Sequence, residues 1–592
     1  MASKDSKQHI GLDDKDRVRI IFDRGDDEYR QDHPGGLRNG GREKDGSASG
    51  KTLIETIQDE LEAVEEYYPK DSRSYFIPRE KVREIMSKSR VLGVIRKLAC
   101  FKHLPSAEAK SLRDSILGDK NPCWKLLAVL IANGKQEDLR RLLEEDVSDH
   151  CLPFPFHSSS PYRCRIPHHS HPTIAGWSKK TRIDASCWSY AVKAPYFKRP
   201  VDKHLHYVLD SMEVLPILDS GPLKGKVADG DTASGGFGEV KMVRLPPSHF
   251  NFGSVGSQLD RRDPQFALKR LFSGNRDSFN KELASLLSFR DKEDDHLIKL
   301  LVSFEIQKQS GTEYYLVFPW AQGTLWDFWK RFKGQHERVS LSIWMADQCY
   351  HLAKALQGVH NERDQHLRLI QDIDSTQHEL YGRHGDVKAE NVLWFGKDNN
   401  QNFLALTDFG LGRLHTKYSR SGVDPKSVDK SATYKAPEFS LREGLLSRAS
   451  DIFSLGCTYL EFVTWYLEGF RSAAQEFADY RMEFDPENGF DADIFFSIED
   501  RNTAKERAVV KPKVKEWIKR LRQSSLNTNY TDQFLDLIEE RMLEPDSKKR
   551  ISSSELVKEL DNYSIACRSD TDYREGPAKG RKPGRERTQR RL

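Results

Sequence analysis

The stretch Arg383 to Phe395, RHGDVKAENVLWF, sets an acid, a base and an amide at steps of two and three: Asp386, Lys388 and Asn391, among the apolar Val387, Val392 and Leu393. Three polar groups so close to a run that reads as a buried strand invite a chemical explanation. Upstream, WMADQCYHLAKALQGVH has the period of an amphipathic helix, with Leu352, Leu356 and Val359 on one face. Downstream, NFLALTDFG reads as a β-strand that ends in Asp408. Phosphoryl transfer needs a hydroxyl oriented in line, metal ions held against phosphates, and positive charge over the moving group. Asp386, Lys388, Asn391 and Asp408 are side chains of those kinds.

A second group precedes them. In ASGGFGEVKMV, Gly235, Gly236 and Gly238 let backbone N–H groups approach a phosphate, and Phe237 can cover it. FALKRL follows, with Lys269 flanked by apolar residues, and thirteen positions later Glu282 shares a helical face with Leu283, Leu286 and Leu287. Taken alone, Lys269 and Glu282 also fit an ordinary surface pair worth under about 1 kcal/mol; the apolar neighbours argue for burial.

These blocks, in this order, resemble the eukaryotic protein kinase family. Its catalytic-loop pattern H-R-D-L-K-P-E-N corresponds to His384-Gly385-Asp386-Val387-Lys388-Ala389-Glu390-Asn391, and TDFGLGRL, YKAPEF, SRASDIFSLGCTYLEF and MLEPDSKKRIS follow in the family's sequence. The resemblance implies an α+β, bilobal kinase-like fold, with a β-rich N-lobe and a helical C-lobe, preceded by a helical N-terminal module. It implies ATP and Mg2+ as cofactors and the Ser/Thr hydroxyls of a protein as substrate. Asp386 would orient the hydroxyl, Lys388 would offset phosphoryl charge, and Asn391 and Asp408 would hold magnesium. Lys269, held by Glu282, would fix the nucleotide within a site formed by Ala233, Gly235, Gly236, Phe237, Gly238, Val240, Ala267, Phe318 and Trp320. Asp327 is expected either at the ribose or, with Thr324, in a helix cap. Arg550 would pair with Glu438, Asp451 would be buried, and Ser431 would bridge Asp386 and Lys388. Glu390 would attract a basic substrate residue, although a glutamate is common there in the family.

Two departures stand out. Ala233 replaces the first glycine of the loop, and Gly385 replaces the arginine that ordinarily pairs with an activation-loop phosphate. The chain is therefore a non-RD variant, and phosphorylation of Ser419, Ser421 or Ser427 is not expected to be required for activity. A pseudokinase scaffold and an enzyme acting on a small molecule are the alternatives. Lys269, Asp386 and Asp408 argue against the first, and the Ala436-Pro437-Glu438 platform against the second.

The rest of the chain must position this core. Residues 1–50 are expected to be a disordered tail, 51–150 a helical module, 151–212 a Pro/His-rich connector, 213–564 the kinase domain, and 565–592 a basic disordered tail, solvated or able to meet nucleic acid. LLAVLIANGKQEDLRRLLEEDV reads as an αα-hairpin broken at Asn133-Gly134, with a passing likeness to one ankyrin unit but no second copy. Cys151, Cys164, His168, His169 and His171 fit no closed metal template. PPSHFNFGSVGSQLDRRDPQ and NERDQHLRLIQDIDSTQHELYGR read as surface insertions, which cost little.

Apolar residues make up 37% of the chain and charged residues 31%, and the net charge is only +4, so no general affinity for nucleic acid or membrane follows. Eight scattered cysteines without C-x-x-C spacing read as reduced thiols. The longest apolar run, LLAVLIA, is far short of the roughly 20 residues of a membrane span. An intracellular protein, cytoplasmic or nuclear, is expected. Its expected partners are a protein substrate and a regulatory protein at the helical module.

Overall fold

The computed structural model describes the backbone of residues 19–23 and 232–235. It further describes residues 51–67, 74–154, 171–218, 238–253, 255–260, 262–272, 274–288, 294–332, 338–361, 383–396, 402–408, 433–442, 444, 447–486 and 489–578. The chain divides into two compact units: residues 1–255, 261–274 and 301–318, and residues 256–260, 275–300 and 319–592. Their mixed helix and sheet content is α+β, with a helical N-terminal region, as expected.

In the first unit, β1 (Arg19–Asp23) is followed by α1 (Leu53–Ala63), the paired β2 (Glu66–Tyr67) and β3 (Tyr75–Phe76), and helices α2 (Arg79–Ile85) and α3 (Lys88–Lys97). Then come α4 (Ser106–Leu117), α5 (Trp124–Ala132), α6 (Leu139–Glu144), α7 (Pro172–Ala175) and α8 (Lys179–Val192). Thr52 and Glu55 close a reciprocal capping box at the start of α1. The expected αα-hairpin is α5 and α6, turned at Gly134, whose φ of 64° favours glycine. Every residue of α5 from Leu126 to Ile131 is fully buried, each of its large aliphatic side chains contributing about 1.5–3 kcal/mol.

Three expected boundaries move. The helical core does not stop at 150: Leu152, Phe154, Ile174, Trp177, Trp188 and Val192 belong to it, so part of the expected connector is folded. The apolar pattern of α8 was faint because its buried face carries small polar residues. Ser186 donates to the Phe154 carbonyl at 2.6 Å, and Ser189 accepts from the Phe154 N–H at 2.8 Å. Residues 19–23, within the tail expected to be disordered, form β1, a strand too short to show a period. At the other end the chain is folded through a short helix at Thr571–Glu575 to Ala578, beyond the expected limit of 564.

After α8 come β4 (Phe197–Lys198), β5 (Lys203–Asp210), β6 (Thr232–Gly235), β7 (Gly238–Val243), β8 (Phe250–Asn251), β9 (Phe266–Leu271), β10 (Val302–Lys308) and β11 (Gly311–Pro319). The seven-stranded sheet runs β1-β5-β10-β11-β9-β7-β6, with β5 parallel to both neighbours. The insertion between β7 and β9 is not mere surface. Phe250 and Phe252 pack on Phe266 at 5.1 and 5.4 Å, and β8 pairs with β4. His249 is 2% exposed; it accepts from the Arg79 N–H at 3.0 Å and, by its other nitrogen, donates to the Pro195 carbonyl at 2.9 Å. One imidazole thus ties the insertion to the helical module, at the start of α2 and just beyond α8. The second expected insertion lies outside the described residues.

The second unit contains α9 (Arg276–Ser288), β12 (Gly323–Thr324), α10 (Leu325–Arg331), α11 (Arg338–His360), β13 (Val392–Phe395), β14 (Phe403–Leu406), α12 (Arg448–Glu468), α13 (Phe477–Arg481), α14 (Pro512–Arg522), α15 (Asn529–Leu537), α16 (Ser553–Ser569) and α17 (Thr571–Glu575). α12 is apolar nearly all round and buries almost every side chain from Ser450 to Leu467, as a central helix must. β12, β13 and β14 form a small antiparallel sheet at whose ends the catalytic loop and Asp408 lie.

Candidate active site

The catalytic loop, residues 383–391, is held from beneath by a single acid. Asp451, near the start of α12 and 1% exposed, accepts from the N–H groups of His384 and Gly385, each at 2.8 Å, and from His360 Nε2 at 2.9 Å. Burial by itself would raise the Asp451 carboxyl, but the His360 imidazole and the loop amides outweigh it and hold the group below the usual carboxylate range. His360, the last residue of α11, therefore fixes where the loop begins, a role its place in the sequence did not suggest. Burial keeps His384 below the ordinary imidazole range, against the pull of the Asp451, Asp386 and Asp408 charges.

On that support the expected polar groups converge. Lys388 Nζ lies 3.0 Å from Asp386 Oδ2, and Asn391 Nδ2 donates to Asp386 O and Oδ2, both at 2.8 Å. The Asn391 carbonyl accepts from the Thr407 N–H at 3.0 Å, which draws the end of β14, and with it Asp408, to the loop. Asp408 has φ 62°, the left-handed conformation uncommon outside glycine, in which Asp is one of the tolerated residues. Gly385 has φ 84°, so its place in the loop is one that suits glycine and strains an arginine.

The Ala436-Pro437-Glu438 segment is anchored as expected. Arg550 makes a bidentate, buried pair with Glu438, at 2.9 and 3.1 Å, while Ser450 adds a hydrogen bond to the same carboxylate. Ser431, Phe409 and the three activation-segment serines lie outside the described residues.

In the first unit, strand register brings the nucleotide candidates into one patch. Ala233 faces Val240 between β6 and β7, Val240 faces Lys269 between β7 and β9, and Gly235 faces Gly238. Directly opposed residues share a face of the sheet, and Ala267, two positions from Lys269, lies on that face too. At Gly238 a Cβ would come within 2.6 Å of the Arg270 carbonyl oxygen, so close approach of β9 requires glycine there. Gly236 and Phe237 lie outside the described residues. Phe318 stands near the end of β11, and Trp320 follows it; both are half-buried. Glu282 is half-buried on α9, beside the buried Leu283 and Leu286. Asp327 closes a capping box on α10: its Oδ2 accepts from the Thr324 N–H at 2.9 Å and hydroxyl at 3.0 Å.

Among the described residues no three His, Cys, Asp or Glu side chains gather as a metal site, and Cys151 is buried; Cys164, His168 and His169 lie outside them. No described helix is long and apolar enough to cross a membrane.

A glycine-bearing hairpin beside a strand lysine, a loop of Asp, Lys and Asn joined to a strand-end Asp, and a buried Glu–Arg pair behind an Ala-Pro-Glu turn are the parts of a protein kinase core. The chain belongs to that family: the protein kinase domain matches residues 251–560, just over half of its 592 residues. It is 31% identical over 135 residues to the probable serine/threonine-protein kinase fnkE of Dictyostelium discoideum, covering 22% of this chain and 10% of that protein. It is 24% identical over 204 residues to cyclin-dependent kinase 8 of Drosophila melanogaster, 34% of this chain and 40% of the relative. A G-type lectin S-receptor-like serine/threonine-protein kinase of Arabidopsis thaliana is 25% identical over 256 residues, 42% of this chain and 24% of the relative. In each case the match spans less than half of the relative's length.

Proposed function

We propose that this protein kinase transfers the terminal phosphoryl group of ATP to serine or threonine hydroxyls of protein substrates. The supporting observation is the closed network of Asp386, Lys388 and Asn391, tied through Thr407 to Asp408. Asp386 orients the attacking hydroxyl and takes its proton; Lys388, 3.0 Å from that carboxylate, offsets charge on the transferred group. Asn391 commits its amide N–H groups to Asp386, which turns Oδ1 the other way, so that this oxygen and the Asp408 carboxylate are the hard donors that would hold magnesium. Magnesium bound there would neutralise charge on the nucleotide phosphates. Lys269 would hold the phosphates from the sheet, with Val240 and Ala267 against the base. Lys388 two residues after the acid favours serine and threonine over tyrosine as acceptor.

The packing of the helical module on the insertion through His249 favours control of the kinase through that module, by a protein partner that binds it.

The test is transfer of labelled phosphate from ATP to a degenerate peptide library in which serine, threonine or tyrosine is the sole acceptor. Labelling of the serine and threonine sets, reduced about 10²- to 10⁴-fold in Asp386→Asn, is expected. Nucleotide binding with no labelling would instead make the chain a pseudokinase scaffold.

A further inference from the structure

A buried charge cluster lies beneath the segment that leads into Ala436-Pro437-Glu438 and has no part in the roles above. Glu461, on α12 and 2% exposed, accepts the Tyr434 hydroxyl at 2.7 Å and faces Arg481 Nη2 at 3.0 Å. Arg481, 1% exposed at the end of α13, donates from Nε to the Asp493 carbonyl at 2.7 Å and from Nη2 to Asp493 Oδ2 at 3.3 Å. Its guanidinium lies over the rings of Phe477 and Phe495, 4.3 and 4.4 Å from their centroids. Its Nη1 is buried without a hydrogen-bond partner among the described residues. Thr433 donates to the other Asp493 oxygen at 2.6 Å, so the segment that leads into Ala436-Pro437-Glu438 rests on this cluster. Burial pushes the Glu461 carboxyl up to about 7, against the opposing pull of the Arg481 charge.

Two acids, Glu461 and Asp493, therefore meet beneath the segment that leads into Ala436-Pro437-Glu438, and a guanidinium of the chain's own stands between them. The planar fork of arginine, two carboxylates to receive it and two aromatic rings, set edge to face, to pack against it make a site built for a guanidinium. Those acids would otherwise draw a basic residue of the substrate.

We propose that Arg481 is a specificity-determining residue. It fills, from within the chain, a guanidinium site formed by Glu461 and Asp493, and so removes the attraction of this acidic cluster for a basic residue of the substrate. The proposal rests on the protein kinase reading.

The test compares the full chain with Arg481→Ala and with Arg481→Ala combined with Glu461→Gln, in the peptide library at mildly alkaline pH. Arg481→Ala is expected to gain a preference for arginine over alanine at one fixed position of about ten- to a hundredfold, the size of a hydrogen bond to a charged group, and the double variant to lose it. Equal selection by the unsubstituted chain and Arg481→Ala overturns the proposal. A second readout needs no phosphoryl transfer: methylguanidinium, and not methylammonium, raises the melting temperature of Arg481→Ala alone. The same response to both ions overturns the proposal. If no protein labels any peptide, the kinase reading fails while the melting shift still decides whether the site takes a guanidinium. If Arg481→Ala does not fold unaided, folding restored by methylguanidinium supports the proposal, and folding restored by neither ion overturns it.

Discussion

Two loops of this protein are each tied to their surroundings by a buried polar side chain, and the two devices differ in kind. The catalytic loop rests on the Asp451 carboxylate, which receives three donors; the insertion between β7 and β9 rests on the His249 imidazole, which accepts one hydrogen bond and donates another. A buried carboxylate with its donors aligned makes strong, charge-assisted bonds and exacts a large cost if one partner is lost. A neutral imidazole between two backbone groups makes ordinary hydrogen bonds, aided by packing, here edge-on against Phe76 at 5.8 Å. The first arrangement suits a loop whose atoms must be placed for chemistry. The second suits an attachment that can be released.

The contrast predicts a ranking. Asp451→Asn leaves a neutral amide under two loop N–H groups and His360, and is expected to cost about 3–5 kcal/mol, read from the denaturant midpoint, with loss of phosphoryl transfer. A cost no larger than that of the histidine variant would break the comparison. His249→Ala should cost about 1–3 kcal/mol, with hydrogen exchange rising at Arg79 and around Pro195 while the catalytic loop keeps its protection. Equal loss of protection in both loops would show a single cooperative unit. Gly385→Arg, which restores the residue usual in the family, must adopt φ 84° and should destabilise by about 1–2 kcal/mol. A neutral or stabilising result would mean that the loop relaxes around Asp451.

The smallest effect is in acid. His351 stacks on His296 with ring centroids 4.4 Å apart, and burial, helped by the neighbouring imidazole, pushes its pKa down to about 4. The unfolded chain therefore holds this proton more tightly than the folded one, so stability falls as pH drops from about 6.5 towards 4. Asp451, held below the usual range, adds its own loss only as pH falls below about 3.8. His351→Asn should flatten the upper part of the acid limb, seen as a weaker pH dependence of the melting temperature, and leave the lower part in place.

Much of the candidate site was legible because its parts are local. Asp386, Lys388 and Asn391 lie within six residues, Asp408 follows a short apolar strand, and glycines mark the hairpin before Lys269. The pairing of Glu438 with Arg550 was legible only through the resemblance, since the two are far apart along the chain. α8 was not legible, because serines that satisfy the Phe154 backbone replace the apolar residues a helical stripe would show. Nor were the partners of Asp451, His249 and Arg481, for a polar residue in a sequence does not reveal which distant group it will meet.

Residue types at short spacing, with the resemblance they carry to the protein kinase family, pointed to an α+β core, an N-terminal run of helices and a set of side chains suited to phosphoryl transfer. Only the tertiary structure decided that the helical core extends to Val192 and that an imidazole ties the insertion to it. It alone also decided that an internal arginine stands between Glu461 and Asp493. The reason is physical. Local spacing sets which groups one element can present, whereas a buried charge or hydrogen bond is satisfied by whichever group packing brings to it, at any distance along the chain.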